Sequence, residues 1–347
     1  MKERSITADV LKGLAVLFMI QVHIMEVFAD PSIYGSMTGR ISLFLGGPPA
    51  APVFMTVMGY FLARSNKDFT TMLLRGVKLL MGGLALNIAL NFTLLYKIVA
   101  GQSNVNPLDF IFGIDILVLA GVTIIVMALL KKLLDVNFVI PLILAFVIFY
   151  LTPLINSTIN NTSGSIRYFV SVLGGDSSWS YFPIFPWTAY PLLGYGVSLF
   201  MKSQFSGIFE NKLLIFPLLV IWAIWVGYTI EFGIATAATL KSYYHHGLEY
   251  GLWAAGFTGG FALLIDRLVH YSKENEFFNY FAMIGRNVTV AYVIQWVIIG
   301  NVGSAVYRSV GLRDSYIALT GVVLITSFAV MVYENRAKLR FLQIKNI

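Results

Sequence analysis

Hydrophobic residues do not alternate along this chain; they run. Ten long apolar stretches stand out, at about 8–28, 48–65, 73–96, 108–130, 136–153, 182–201, 213–234, 248–269, 281–300 and 315–333. Each approaches the roughly 20 apolar residues that an α-helix needs to cross a bilayer. The polar breaks between them are short. The longest, 154–181, is rich in loop formers such as Asn156, Asn160, Asn161, Gly174, Gly175 and Asp176. The pattern predicts an all-α polytopic bundle of about ten transmembrane helices. It forms one integral-membrane domain over 1–347, with no room for a soluble module and no internal repeat.

Composition agrees. Hydrophobic residues make up 58% of the 347 and charged residues 12%, about half the charged share of a soluble domain. Mean hydropathy is +0.78. The chain has no cysteine, which excludes disulfides, thiolate metal sites and a cysteine nucleophile. The N-terminus has a basic start and an apolar run, like a signal peptide. Asp9 and Lys12 interrupt that run and nine more apolar stretches follow, so it is read as a retained first span.

The net charge of +7 sits at span ends. With the N-terminus inside, the inner segments hold sixteen basic residues. They run from Lys2 and Arg4 through Arg64, Lys67, Arg75, Lys78, Lys131, Lys132, Lys202, Lys212, Arg267 and Lys273 to Arg336, Lys338, Arg340 and Lys345. The outer loops hold six: Arg40, Lys97, Arg167, Lys241, Arg308 and Arg313. This bias predicts both termini in the cytoplasm. It leaves no basic face for nucleic acid. The Asn-x-Thr/Ser sites at Asn156, Asn160 and Asn161 fall in an outer loop.

Ionisable residues inside spans are costly and mark function by default. The first span has four: Asp9, Lys12, His23 and Glu26. Their spacing puts them on one helical face, with Val16 and Met19 between, and about 16 Å separates Lys12 from His23. That stripe must face protein or a water-filled cleft. His23 beside Glu26, one turn on, has the makings of a general base oriented by a carboxylate; the alternative is a histidine that only packs between helices. Arg64 and Lys67 fit the topology rule alone. Arg75 and Lys78, one turn apart and inside the apolar register, suit a phosphate ligand. Asp115 in the fourth span reads equally as a helix-pairing group or as a polar wall of the same cleft. Pro183, Pro186 and Pro191 break the sixth span, and a broken helix at membrane depth must be buried in protein or line a cavity; this is expected to be the only interrupted span. Arg286, Asn287, Tyr292 and Gln295 make the ninth span polar, where bonding between helices is the default. A metal site built from His23, Glu26, His245 and His246 is conceivable, but the spacing is no metal signature, and no metal is expected.

The sequence Asp9-Val-Leu-Lys12-Gly-Leu-Ala through His23 resembles the opening helix of the transmembrane acyltransferase superfamily. Its pattern there is Asp, two residues, Arg-Gly-Leu-Ala, an apolar run and His. Pro52 to Leu62, ending Met-Gly-Tyr-Phe-Leu, is similar to that superfamily's second-span ending. Arg75-Gly-Val-Lys78 resembles its Arg-x-x-Arg, and Phe185-Pro-Trp187 the corresponding segment of the heparan-glucosaminide N-acetyltransferase-like branch. Gly285-Arg286-Asn287 with Tyr292 is similar to a late Gly-x-Asn/Ser…Tyr segment. Two departures stand out. Lys12 and Lys78 replace arginines, which loses bidentate phosphate geometry. The heparan branch's loop histidine has no counterpart, and Tyr34 lies about where it would fall; His23 is therefore the acyltransferase 3-type choice of base.

The resemblance implies an acetyl-CoA-dependent O- or N-acyltransferase acting on an outer-side glycan or lipid-linked sugar. It implies His23 and Glu26 as catalytic residues, with Lys12, Arg75 and Lys78 at the CoA phosphates. Asp115, Trp187, Asn287 and Tyr292 would line the cleft. Membrane lipids surround such a protein, a homodimer is compatible with it, and a bacterial or archaeal plasma membrane is the setting that fits. The rival readings are a secondary transporter or flippase, since broken helices and intramembrane charges belong to those too, and an inactive scaffold of the same fold.

Overall fold

The computed structural model describes residues 5–203, 212–272 and 275–345. Lys2, Arg4 and Lys273 of the charge count lie outside the described residues, as do the side chains of Lys212, Lys338, Arg340 and Lys345.

The chain is helical throughout. The first half runs α1 (Ile6–Val27), α2 (Pro31–Tyr34), α3 (Met37–Gly46), α4 (Ala51–Ala63), α5 (Phe69–Leu90), α6 (Phe92–Val99), α7 (Pro107–Ile111), α8 (Ile116–Leu134) and α9 (Val139–Ile159). The second half runs α10 (Arg167–Val170), α11 (Ile184–Trp187), α12 (Ala189–Phe200), α13 (Lys212–Ala238), α14 (Leu240–Tyr244), α15 (Leu248–Tyr271), α16 (Glu276–Arg286), α17 (Val288–Val306) and α18 (Leu312–Lys345). Among the described residues, nine stretches are long and apolar enough to cross a membrane, with α3 and α4 together making one of them. The tenth expected crossing, 182–201, is the broken pair α11–α12. The protein is an integral, multi-pass membrane bundle. Among the described residues, strand-like pairing is limited to two isolated bridges, Ala29 with Val310 and Ile114 with Ser180.

Polar side chains define where several helices begin. Ser5 accepts from Ala8 N–H at the start of α1, Asp68 from Thr71 N–H at the start of α5, and Asn275 from Phe277 N–H at the start of α16. Each such cap is worth about 1 kcal/mol. Breaks follow local chemistry too. Gly47-Pro48-Pro49-Ala50 separates α3 from α4. Phe185, extended at φ −96°, ψ 115°, interrupts α11 next to Pro186. Asn287 separates α16 from α17. Breaks at Asn91 and at 112–115 likewise fall inside the expected runs 73–96 and 108–130, so interruption is not confined to the proline-bearing crossing.

Small residues let the backbones close. A methyl on Gly59 would collide with the Pro191 carbonyl, and one on Gly194 with the Thr56 carbonyl, so α4 and α12 touch backbone to backbone. Gly13 against Phe281 and Gly285 against Asp9 do the same for α1 and α16. Such pairing drives helix association where no hydrophobic effect operates between helices. The first helix is central: it packs against α3, α4, α15, α16, α17 and α18. The α11–α12 crossing is buried as expected, with Trp187 and Tyr190 fully enclosed.

Candidate active site

The polar face of α1 points inward. Asp9, Val16 and Met19 are buried, and Lys12, His23 and Glu26 are half-buried. At one end Lys12 Nζ lies 2.7 Å from Asp9 Oδ1 and 5.8 Å from the centre of the Phe61 ring on α4. Near the other end stands His23. Its Nδ1 is 3.3 Å from Gln295 Oε1 on α17, and its ring stacks on Trp296 with centroids 3.8 Å apart at 29°. A carboxamide oxygen only accepts, so Nδ1–H is the donor in this pair.

The partner expected for His23 was Glu26, one turn away. The hydrogen bond goes instead to Gln295, which reaches across from α17. Gln295 is fully buried, and its Nε2 has no partner. Leaving a buried donor unsatisfied costs about 1–3 kcal/mol.

Between Lys12 and His23 lies a narrow apolar crevice lined by Met19, Phe54, Ile116, Leu117, Val288, Thr289 and Tyr292. It runs among α1, α4, α8 and α17. Of its lining residues, Tyr292 lies one turn before Gln295 on α17 and Met19 one turn before His23 on α1. Asp115 is not inside the fourth span, as its apolar neighbours suggested, but at its head. Its Oδ1 accepts from the N–H groups of Leu117 and Val118, capping α8, and its Oδ2 accepts from Tyr292 OH at 3.3 Å. Asp115 thus begins α8 and pairs it with α17 through Tyr292.

Glu26 faces a different set of groups. The turn after α17 is stitched to the end of α1: Arg308 N–H donates to Val27 O, and Val310 N–H to Phe28 O. Arg308 adopts a left-handed φ of 50°. Its guanidinium lies over Tyr34 and Tyr307, 5.1 and 5.4 Å from their ring centres. Burial, with the Glu26 carboxylate adding to it, pushes the Tyr34 hydroxyl up to about 12. The same two causes push Tyr181 up to about 12. Tyr181 and Phe182 pack on Tyr244, with centroids 5.4 and 5.2 Å apart. Glu26 therefore belongs to a lip of tyrosines and one arginine. Tyr34, at the position where the heparan branch's histidine is missing, is part of it.

The other expected site residues are more dispersed. Arg75 and Lys78 are exposed on α5, which packs on α8 and α17; no contact joins them to Lys12. Trp187 donates from Nε1 to Tyr244 O at 2.8 Å and sits in the aromatic core behind the lip. Asn287 donates to Met283 O and to Glu334 Oε2, and Arg286 to Glu334 Oε1, tying the α16–α17 break to α18. His246 does not approach His23. Its Nε2 meets Tyr190 OH at 2.8 Å and its Nδ1 meets Tyr243 O at 2.6 Å. Burial pulls His246 down to about 3 and His245 to about 4. Among the described residues no group of three His, Asp or Glu side chains is placed to hold a metal ion.

A family model for the catalytic region of heparan-alpha-glucosaminide N-acetyltransferase matches residues 4–245, well over half of the 347. The chain belongs to this N-acetyltransferase family. No curated protein and no solved structure matches it. The matched stretch takes in His23, Glu26, Lys12, Arg75, Lys78, Asp115 and Trp187. Tyr292, Gln295, Trp296 and Arg308 lie beyond it. The N-acetyltransferase catalytic region thus supplies the α1 ridge, and α17 supplies the side chain that holds its imidazole.

Proposed function

We propose that the protein transfers an acetyl group from acetyl-CoA on the cytoplasmic side to an amine or hydroxyl of a sugar on the opposite side of the membrane. One observation carries this reading: a single inward face of α1 joins a cation to an imidazole, with an apolar crevice between them. In this reading both termini are cytoplasmic. The CoA phosphates sit at the Lys12 end, with Arg75 and Lys78 at the approach. The pantetheine arm runs along the inward face of α1, past Met19 and Tyr292. The acceptor enters past Glu26, where tyrosine rings and charged groups suit the mixed apolar and hydroxylated faces of a sugar.

His23 Nε2 takes the proton from the acceptor as its oxygen or nitrogen attacks the thioester carbon. The new bond forms, the C–S bond breaks and CoA thiolate leaves toward the Lys12 end. General-base catalysis of this kind contributes about 10²–10⁴-fold, and holding acceptor and thioester together supplies much of the rest. Glucosamine nitrogen is the first acceptor to try, given the family.

With purified protein, labelled acetyl-CoA and a set of amino sugars and glycans, the wild type forms acetylated product. His23→Ala loses about 10²-fold or more. Full activity in His23→Ala removes the imidazole from the reaction.

The transport reading gains one observation: α4 and α12, each the second half of an interrupted crossing, pack directly on each other, as broken helices do in many transporters. Titrating acetyl-CoA while following thermal unfolding separates the two. A transporter of another solute ignores CoA; the acyltransferase is stabilised by it.

A further inference from the structure

We infer that Arg308 is an anion receptor for the acceptor: its guanidinium fork takes a carboxylate or phosphate carried by the sugar that is acetylated. This rests on the acetyl-transfer reading above and adds a class of acceptor, an acidic sugar.

The backbone gives the first argument. Arg308 sits at φ 50° in the turn between α17 and α18. Glycine takes that conformation freely, and a residue with a Cβ takes it at a cost. What the turn uses from this position is a backbone N–H, which donates to Val27 O at 3.0 Å. Glycine has the same N–H. The turn itself gives no reason for an arginine, and a residue held against its backbone preference points to function.

The side chain gives the second. Among the described residues its one hydrogen bond runs from Nε to Glu26 O at 3.5 Å, the long limit for such a bond. It enters no ion pair among the described residues. Its other neighbours are the Tyr34 and Tyr307 rings, with centres 5.1 and 5.4 Å away. Contacts between a cation and a ring consume no N–H, so the terminal nitrogens keep their donors. Tyr307 is 63% exposed and Arg308 half-buried, which leaves the fork within reach of solvent.

Position gives the third. Glu26 follows His23 by one turn of α1, about 4.5 Å along the axis. Contact with the Glu26 carbonyl therefore stands Arg308 just outward of the imidazole, on the side where the acceptor enters. The Tyr34 hydroxyl feels both the Glu26 carboxylate and the Arg308 guanidinium, so the lip presents the two charges side by side. The carboxylate suits an acceptor's ammonium or hydroxyl groups. The guanidinium suits an oxyanion, which can take two parallel N–H bonds from it. Lipid headgroups carry the same oxyanion, and the test separates the two sources.

The test uses full-length protein in phosphatidylcholine discs, with acetyl-CoA and two acceptors, glucosamine and glucosamine 6-phosphate. The readout is the ratio of their kcat/KM values, followed by CoA thiol release. Wild type is expected to prefer the phosphorylated sugar by roughly ten- to a hundredfold, the scale of hydrogen bonds to a charged group. Arg308→Gly suits the left-handed backbone and is expected to fold, with a ratio within about threefold of one. Arg308→Lys keeps the charge without the fork and retains only part of the preference. A wild-type ratio near one, or one that Arg308→Gly leaves unchanged, overturns the assignment in a preparation that acetylates glucosamine. So does a preference that disappears when phosphatidylglycerol replaces part of the disc lipid, which gives the arginine to a headgroup. A second measurement needs no turnover. Glucosamine 6-phosphate is expected to raise the Tm of wild type more than glucosamine does, and Arg308→Gly to lose that difference. A wild type that never acetylates but shows this Arg308-dependent shift fells the acetyl-transfer reading and leaves the anion receptor standing. An inactive wild type without the shift fells both.

Discussion

Two histidines in this chain differ in how many of their ring nitrogens are engaged. His23 has one ring nitrogen bonded and the other available. His246 has both engaged, by Tyr190 and by the Tyr243 carbonyl, and lies in an aromatic core. Burial drops His246 to about 3, only partly opposed by the Tyr243 carbonyl, so it stays neutral wherever the protein is folded near neutrality. The unfolded chain takes up that proton below about 6.5. Between pH 6.5 and about 3 the unfolded state binds more protons, and stability falls as pH falls. His246→Gln removes this proton uptake and is expected to flatten the decline of apparent Tm between pH 6.5 and 4.5, with His245 still contributing. Curves that stay parallel to wild type contradict it. The inward placement of His23 was legible in the sequence, through the regular spacing of Asp9, Lys12, His23 and Glu26 on one helix; the packing of His246 was not. Nor was the partner of His23. Gln295 is 272 positions away, and nothing in local spacing separates it from an ordinary polar residue pairing two helices. Glu26 was the natural guess because i+3 contacts can be read locally, and contacts between helices cannot.

Among elements, hydropathy found the crossings but not their continuity. Apolar content is summed over a window, whereas a break depends on a few backbone groups. The proline-rich sixth run announced its interruption. The Asn287 break contains no proline, and the break between α3 and α4, at 47–50, straddles the point where the second run was expected to begin. Asp115 was placed within its span for the same reason: an aspartate that caps a helix by accepting two N–H bonds is surrounded by the same apolar residues as one inside it. The consequence of the missed breaks is concrete. The second halves, α4 and α12, meet through Gly59 and Gly194 with no side chain between the backbones. Gly59→Val or Gly194→Val forces them apart, and overpacking of this kind costs typically 1–3 kcal/mol. Such variants are expected to unfold several degrees lower than wild type in the same detergent, while Gly227→Val on α13, where a side chain would meet nothing within 4 Å, leaves Tm unchanged. Equal melting of all three contradicts backbone-to-backbone packing.

At the scale of the whole molecule the proposed reaction has a direction, and direction is a claim about sidedness. Lys12 and His23 are about 16 Å apart along α1, too far for one aqueous face to reach both without a path through the bundle. If CoA arrives at the Lys12 end, that end must face the cytoplasm, where sixteen of the counted basic residues would lie against six on the other side. The chain contains no cysteine, so every cysteine introduced is a unique reporter. Ser103→Cys lies between α6 and α7, and Ser309→Cys in the turn after α17; both are expected to react with a membrane-impermeant maleimide added to intact cells. Asn137→Cys between α8 and α9, and Asn66→Cys between α4 and α5, are expected to react only after the membrane is opened. The reverse pattern places the imidazole end in the cytoplasm. Cytoplasmic acetyl-CoA would then meet Glu26 and the tyrosine lip first, the cations at the far end could not hold its phosphates, and transfer across the membrane in the proposed sense would have no donor.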